Sequence, residues 1–143
     1  MPSDLSMRVI NRLHRATLHA TGGRVGRTMR GMRVVELTTI GRKSGEPRTV
    51  MLTSPLQEGK VVVVVASKWG DDRPPAWLLN LQSQPDVQVG IDGGPSRPYV
   101  ARVATAAERD RLWPEVTRDH PHYAGYQDKT AREIPLVLLT PAA

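Results

Sequence analysis

Cysteine is absent from the 143 residues, and so is phenylalanine. Without cysteine there is no disulfide, no thiolate metal site and no cysteine nucleophile. Without phenylalanine the core must rest on Val, Leu, Ile and three Trp. No apolar stretch is long enough to span a bilayer, the run Val61–Ala66 being of strand length. The N-terminus lacks the apolar centre and small-residue cleavage site of a secretory signal. The expectation is a cytoplasmic protein, or one attached to a membrane surface. Also missing are a nucleophile elbow, a Gly-x-Gly-x-x-Gly loop and carboxylates paired for acid–base work. A hydrolase has little to stand on, and an enzyme of this composition leaves the hard chemistry to a cofactor.

Acidic residues are scarce where basic ones are dense. Residues 1–33 carry seven arginines (Arg8, Arg12, Arg15, Arg24, Arg27, Arg30 and Arg33) against the single acid Asp4. The rest of the chain has thirteen basic and thirteen acidic residues, so the arm holds the whole net charge of +6. A ligand of the neutral body must therefore be recognised by local charges and not by a global field.

Two segments follow, a basic helix and arm over 1–33 and one barrel-sized domain over 34–143. Ser3 or Asp4 can cap a helix to about Ala20, with Leu5, Val9, Leu13 and Ala16 on one stripe and Arg8, Arg12 and Arg15 on another side. Gly22-Gly23 stops it. Beyond it, Val34–Ile40 reads as a strand, Gly41–Pro47 as a turn, Arg48–Leu56 as a strand and Glu58-Gly59 as a hairpin turn. Lys60–Ser67 has the β-branched texture of a strand buried on both faces. A short helix spans about Ala76–Gln84, strands span Asp86–Ile91 and Arg97–Ala104, and Asp92-Gly93-Gly94 turns between them. Thr105 and Glu108 form a capping box for a helix that reaches Pro114 or beyond. Pro121–Lys129 is a turn or short helix, and Ile134–Leu139 a last strand. Hairpin-joined strands with an inserted helix predict a mainly β fold, a small antiparallel barrel with flanking helices.

Four features carry chemistry. In Gly41-Arg42-Lys43-Ser44-Gly45-Glu46-Pro47-Arg48, two glycines let N–H groups converge on an anion, and three cations lie within seven residues. The same residues also suit a solvated hairpin turn. Ser67 and Lys68 leave the valine strand where a ligand of that turn is reachable, or simply mark the strand's end. Pro75, Trp77 and Asn80 open a helix; Trp77 shares a face with Leu81 and suits a core, while a buried Asn80 must tie the helix to a loop or touch a ligand. Tyr123 and Tyr126 can line a pocket for a flat substrate or form a half-buried surface. His120 and His122 have no third ligand at a regular spacing, so no metal is expected.

In order, these features resemble the deazaflavin (coenzyme F420)-dependent nitroreductases and quinone reductases of actinobacteria. The first likeness is Leu37-Thr38-Thr39-x-Gly41-Arg42-Lys43-Ser44-Gly45-x-Pro47-Arg48. The second is Ala66-Ser67-Lys68-x-Gly70 with Pro75-x-Trp77-x-x-Asn80-Leu81-x-x-x-Pro85-x-Val87-x-Val89. The third is Tyr123-x-x-Tyr126-x-x-x-Thr130-x-Arg132-x-Ile134-Pro135. Together they run from about residue 35 to the C-terminus. The resemblance implies a split antiparallel β-barrel related to FMN-binding split barrels, and hydride transfer to a quinone, nitro compound or other conjugated acceptor. It implies that Arg42, Lys43, Ser44 and Arg48 meet the coenzyme's phosphate and oligoglutamate tail. Met51, Ser67 and Lys68 would lie near the deazaflavin, with Pro75, Trp77 and Asn80 shaping the groove. Tyr123 and Tyr126 would act on the acceptor side, as catalytic residues. His120 and Thr53 depart from the family's nitro-reducing members, where a hydroxyl-bearing aromatic residue is typical at the first position and Tyr is common at the second.

Two other readings stand beside this one: an FMN-dependent reductase on a related barrel, and a coenzyme carrier that binds without turnover. The arginine arm suits an anionic membrane surface or a helix packed on the barrel. It lacks the interleaved aromatics of a nucleic-acid binder. Oligomeric state is left open.

Overall fold

The computed structural model describes residues 32–142. The expected basic helix, and the membrane contact attached to it, lie outside the described residues. Among the described residues there are seven strands: β1 (Arg33–Ile40), β2 (Pro47–Ser54), β3 (Leu56–Glu58), β4 (Val61–Val65), β5 (Asp86–Ile91), β6 (Arg97–Val103) and β7 (Leu136–Pro141). Three α-helices accompany them: α1 (Ala76–Ser83), α2 (Ala106–Asp119) and α3 (His122–Asp128). The strands form one curled antiparallel sheet in the order β2-β1-β5-β6-β7-β4-β3.

Alternation along the strands sends side chains to two separate cores. On one face Val35, Leu37, Val62, Val64, Val87, Val89, Val137 and Leu139 meet Trp77, Leu78 and Leu81 of α1. On the other, Val63, Val65, Leu136 and Leu138 meet Leu112 and Val116 of α2, Tyr123 of α3, and Ile134. β4 and β7 are thus apolar at successive positions because both their faces are covered. α1 fills one core, while α2 and α3 roof the other.

The single strand expected over Arg48–Leu56 is two strands. β2 pairs with β1 as far as Ser54, and Leu56–Glu58 pair instead with β4. Pro55 has no N–H to continue the ladder. Ser54 is buried at the break, and its Oγ lies 2.6 Å from Val63 O and 2.9 Å from Leu56 O, one proton shared between them. This hydroxyl links the end of β2 to β4 across the sheet's curl. The valine strand stops at Val65 and not at Ser67, and the last strand begins at Leu136 and not at Ile134. The capping box is present: Thr105 Oγ1 accepts from Glu108 N–H (3.2 Å), and Glu108 Oε1 accepts from Thr105 N–H (2.9 Å).

Candidate functional site

The turn between β1 and β2 is closed by its own backbone. Gly41 N–H donates to Glu46 O and Gly45 N–H to Gly41 O, both at 2.8 Å. Gly45 has φ +72°, which favours glycine, and a Cβ on Gly41 would lie 2.5 Å from Ser44 Oγ, so a side chain there would displace that hydroxyl. Ser44 Oγ accepts from Glu46 N–H (3.2 Å) and from Arg48 Nη2 (3.5 Å), and keeps its own proton to donate. Arg42, Lys43 and Arg48 are exposed. The Arg48–Glu46 pair, at 3.8 Å with both side chains in solvent, binds Arg48 only weakly.

Asn80 fastens this turn to α1. Its Oδ1 accepts from Arg42 N–H (3.2 Å) and Arg42 Nη1 (3.1 Å), and its Nδ2 donates to Thr39 Oγ1 (3.2 Å). Thr39 is fully buried and Asn80 nearly so. The tie therefore orients one Arg42 donor inward, next to an exposed cationic edge. Pro75 is buried just before α1, and Trp77 packs into the barrel core with Leu81.

A second cluster surrounds Ser67 and Lys68. Lys68–Gly70 is a tight turn of 3-10 helix in which Lys68 (φ 46°) and Trp69 (φ 55°) take the left-handed region. Ser67, Lys68 and Asp71 are buried. The Asp71 carboxyl is held below its usual range, first by Arg73 N–H (2.8 Å), then by the charges of Lys68 and Arg73; its own burial opposes this. Gly70 sits against α3, where a Cβ would come 2.6 Å from Tyr126 O.

Tyr123 and Tyr126 belong to α3. Tyr123 is buried, with its hydroxyl 3.4 Å from Thr53 Oγ1 of β2 and 3.5 Å from Met32 Sδ, to which it donates. Met51, two residues before Thr53 and on the same face of β2, is buried beside Val34. Tyr126 is half-buried, 6.1 Å from the Tyr123 ring and edge-on to it. His122 stacks on Tyr123 at 4.1 Å.

Arg42, Ser44, Arg48 and Asn80 thus form one connected group. Ser67 and Lys68 join the segment containing Tyr126, and Met51 shares a strand face with Thr53, which meets Tyr123. Arg132 was legible only as part of a motif. Its guanidinium reaches Ala66 O, Ser67 O and Asp71 O, a role that no spacing announces. A separate surface depression of about 290 Å3 is lined by Arg109, Trp113, Gln127, Ala131 and Glu133. It shares no residue with these groups.

Comparison with known proteins gives this arrangement its context. The family model described as F420H(2)-dependent quinone reductase matches residues 10–141. An F420H(2)-dependent quinone reductase of Mycobacterium tuberculosis is 40% identical over 134 residues, covering 90% of this chain and 88% of that protein. A solved F420-H2 dependent reductase superposes with a TM-score of 0.64 at 38% identity, over 74% of this chain and 92% of the other. A protein of the pyridoxinephosphate oxidase family from Clostridium acetobutylicum shares the fold alone, with a TM-score of 0.53 at 12% identity over 90% and 84%. The curled seven-stranded sheet is therefore a split barrel, and the chain belongs to the F420H2-dependent quinone reductase family, oxidoreductases whose coenzyme is F420.

Proposed function

We propose that this chain binds reduced coenzyme F420 with the phosphate and glutamate tail at the Gly41–Arg48 turn, and reduces a quinone beside Tyr123 and Tyr126. The observation that carries this is the exposed cationic edge of Arg42, Lys43 and Arg48 on a turn fastened to α1 through Asn80. Its donor set fits a polyanionic tail: two guanidinium groups, an ammonium and the Ser44 hydroxyl. A single FMN phosphate would use only part of it. Pro75, Trp77 and Asn80 fix the wall behind the turn.

When bound, the reduced deazaflavin supplies the hydride. The chain's own residues bind, orient and exclude water. Ser67 and Lys68, with Met51, are assigned to the ring end. Tyr126 is half-buried and offers a phenolic O–H to an acceptor oxygen, where it can orient the acceptor or donate a proton. Tyr123 backs it with a buried ring. Nitro compounds and other conjugated acceptors are further substrates of the same geometry.

Fluorescence titration with oxidised F420 and, separately, FMN tests the reading. F420 should bind the more tightly, and the reduced coenzyme should be reoxidised by menadione. Tight FMN binding without F420 binding would refute it; F420 binding without reoxidation by any of several quinones would make the chain a carrier. We also propose that the chain divides near residue 33 into a basic arm and the coenzyme-binding barrel. The arm's seven arginines suit an anionic membrane surface, where quinones reside. Substituting Arg8, Arg12 and Arg15 by Gln should then reduce co-sedimentation with anionic vesicles.

A further inference from the structure

We propose that Arg132 is a positioning residue for the ring end of the coenzyme site, holding the Ser67–Gly70 turn so that Ser67 presents its N–H and hydroxyl to an oxygen acceptor. This rests on the reading that Ser67 faces the deazaflavin. The Arg132 guanidinium makes four contacts with main-chain carbonyls: Nε to Asp71 O at 2.9 Å, Nη1 and Nη2 to Ala66 O at 3.2 Å, and Nη2 to Ser67 O at 2.9 Å. In a trans peptide the carbonyl and the next N–H point in opposite directions. Drawing Ala66 O toward Arg132 therefore aims Ser67 N–H away from it.

Ser67 is only 8% exposed, and among the described residues neither its hydroxyl nor its N–H has a partner. A buried hydroxyl left without a partner is uncommon and points to a ligand that completes it. The turn is also held in a conformation it would not choose. Lys68 and Trp69 have positive φ, and such residues persist only where their surroundings over-determine them. Those surroundings come from one stretch: Arg132 on the carbonyls, Pro135 O on Ala66 N–H (3.0 Å), and Tyr126 O against Gly70. Gln127 in turn locks Arg132, donating to Arg132 O (2.7 Å) while its Oε1 accepts from Ile134 N–H (2.9 Å) and Arg109 Nη2 (3.1 Å). Lysine keeps the charge but cannot span the three carbonyls.

Arg132→Lys, Ser67→Ala and the double variant test this. Each is titrated with F420 and with the deazaflavin ring fragment lacking phosphate and tail, and amide exchange over 66–71 is followed without ligand. Arg132→Lys should speed exchange in that segment and weaken both ligands about tenfold. The quinone KM should stay within about twofold. Ser67→Ala should weaken both ligands, and the double variant should bind no worse than Arg132→Lys, since the two act through one contact. Ser67→Ala binding both ligands like the parent would overturn the ring-end reading of Ser67, and this proposal with it. Weakening in Ser67→Ala but not in Arg132→Lys would overturn only the role of Arg132. So would additive losses, or faster exchange spread evenly over the chain.

Discussion

Asn80 is 4% exposed and satisfies three groups at once: the Arg42 N–H, the Arg42 guanidinium and the Thr39 hydroxyl. Asn80→Ala leaves the buried Thr39 hydroxyl without its partner, at about 1–3 kcal/mol. A thermal melt should fall by several degrees. Asn80→Asp separates structure from charge, because the carboxylate can accept from Arg42 and from the Thr39 hydroxyl itself. Its melt should lie closer to the parent's than that of Asn80→Ala. If the tail is held at this turn, its F420 affinity should nonetheless be the lower of the two, since a new anion beside Arg42 would cancel charge offered to the tail. F420 affinity equal to the parent's in Asn80→Asp would remove Arg42 from the site. The sequence showed that a buried Asn in α1 needed partners; it did not show that both came from β1 and its turn, about forty residues upstream. That pairing depends on how the sheet curls.

At the scale of elements, local signals were the readable ones. The capping box of α2 was legible because its two members are three residues apart and bond to each other's backbone. Its Glu108 carboxyl is pulled down to about 2, first by the two hydrogen bonds from Arg102 (2.6 and 2.7 Å) and then by Thr105 N–H. A carboxylate with a depressed folded pKa stabilises the protein above its unfolded value of 4.5, and the contribution is lost as pH falls from there toward 2. Glu108→Gln should therefore melt below the parent at pH 6, with the gap narrowing by pH 3. A gap constant over that range would show that Glu108 acts as a neutral cap. Where the sequence failed, the cause was a distant partner. Nothing local divides Arg48–Leu56 except Pro55, and the fate of Leu56–Glu58 is decided by β4. Likewise the chain leaves the strand where Arg132, more than sixty residues on, gathers the carbonyls of Ala66, Ser67 and Asp71.

For the molecule as a whole, charge placement makes the sharpest claim. The chain carries +6, all of it in excess within residues 1–33, while the remainder balances thirteen against thirteen. If coenzyme binding drew on a global field, the arm would matter as much as the turn. If recognition is local, only Arg42, Lys43 and Arg48 matter, and their exposure leaves them open to screening, with a Debye length of about 10 Å at 0.1 M salt and about 3 Å at 1 M. F420 affinity of the parent should fall steadily over that range, more steeply for coenzyme with longer glutamate tails. Arg42→Ala with Lys43→Ala should weaken binding at low salt and flatten the dependence. Substituting Arg8, Arg12 and Arg15 by Gln should leave both affinity and slope unchanged. The opposite pattern, an insensitive turn and a sensitive arm, would move the tail from Gly41–Arg48 to the arm, because the sequence from residue 34 on has no second run of seven residues with three cations.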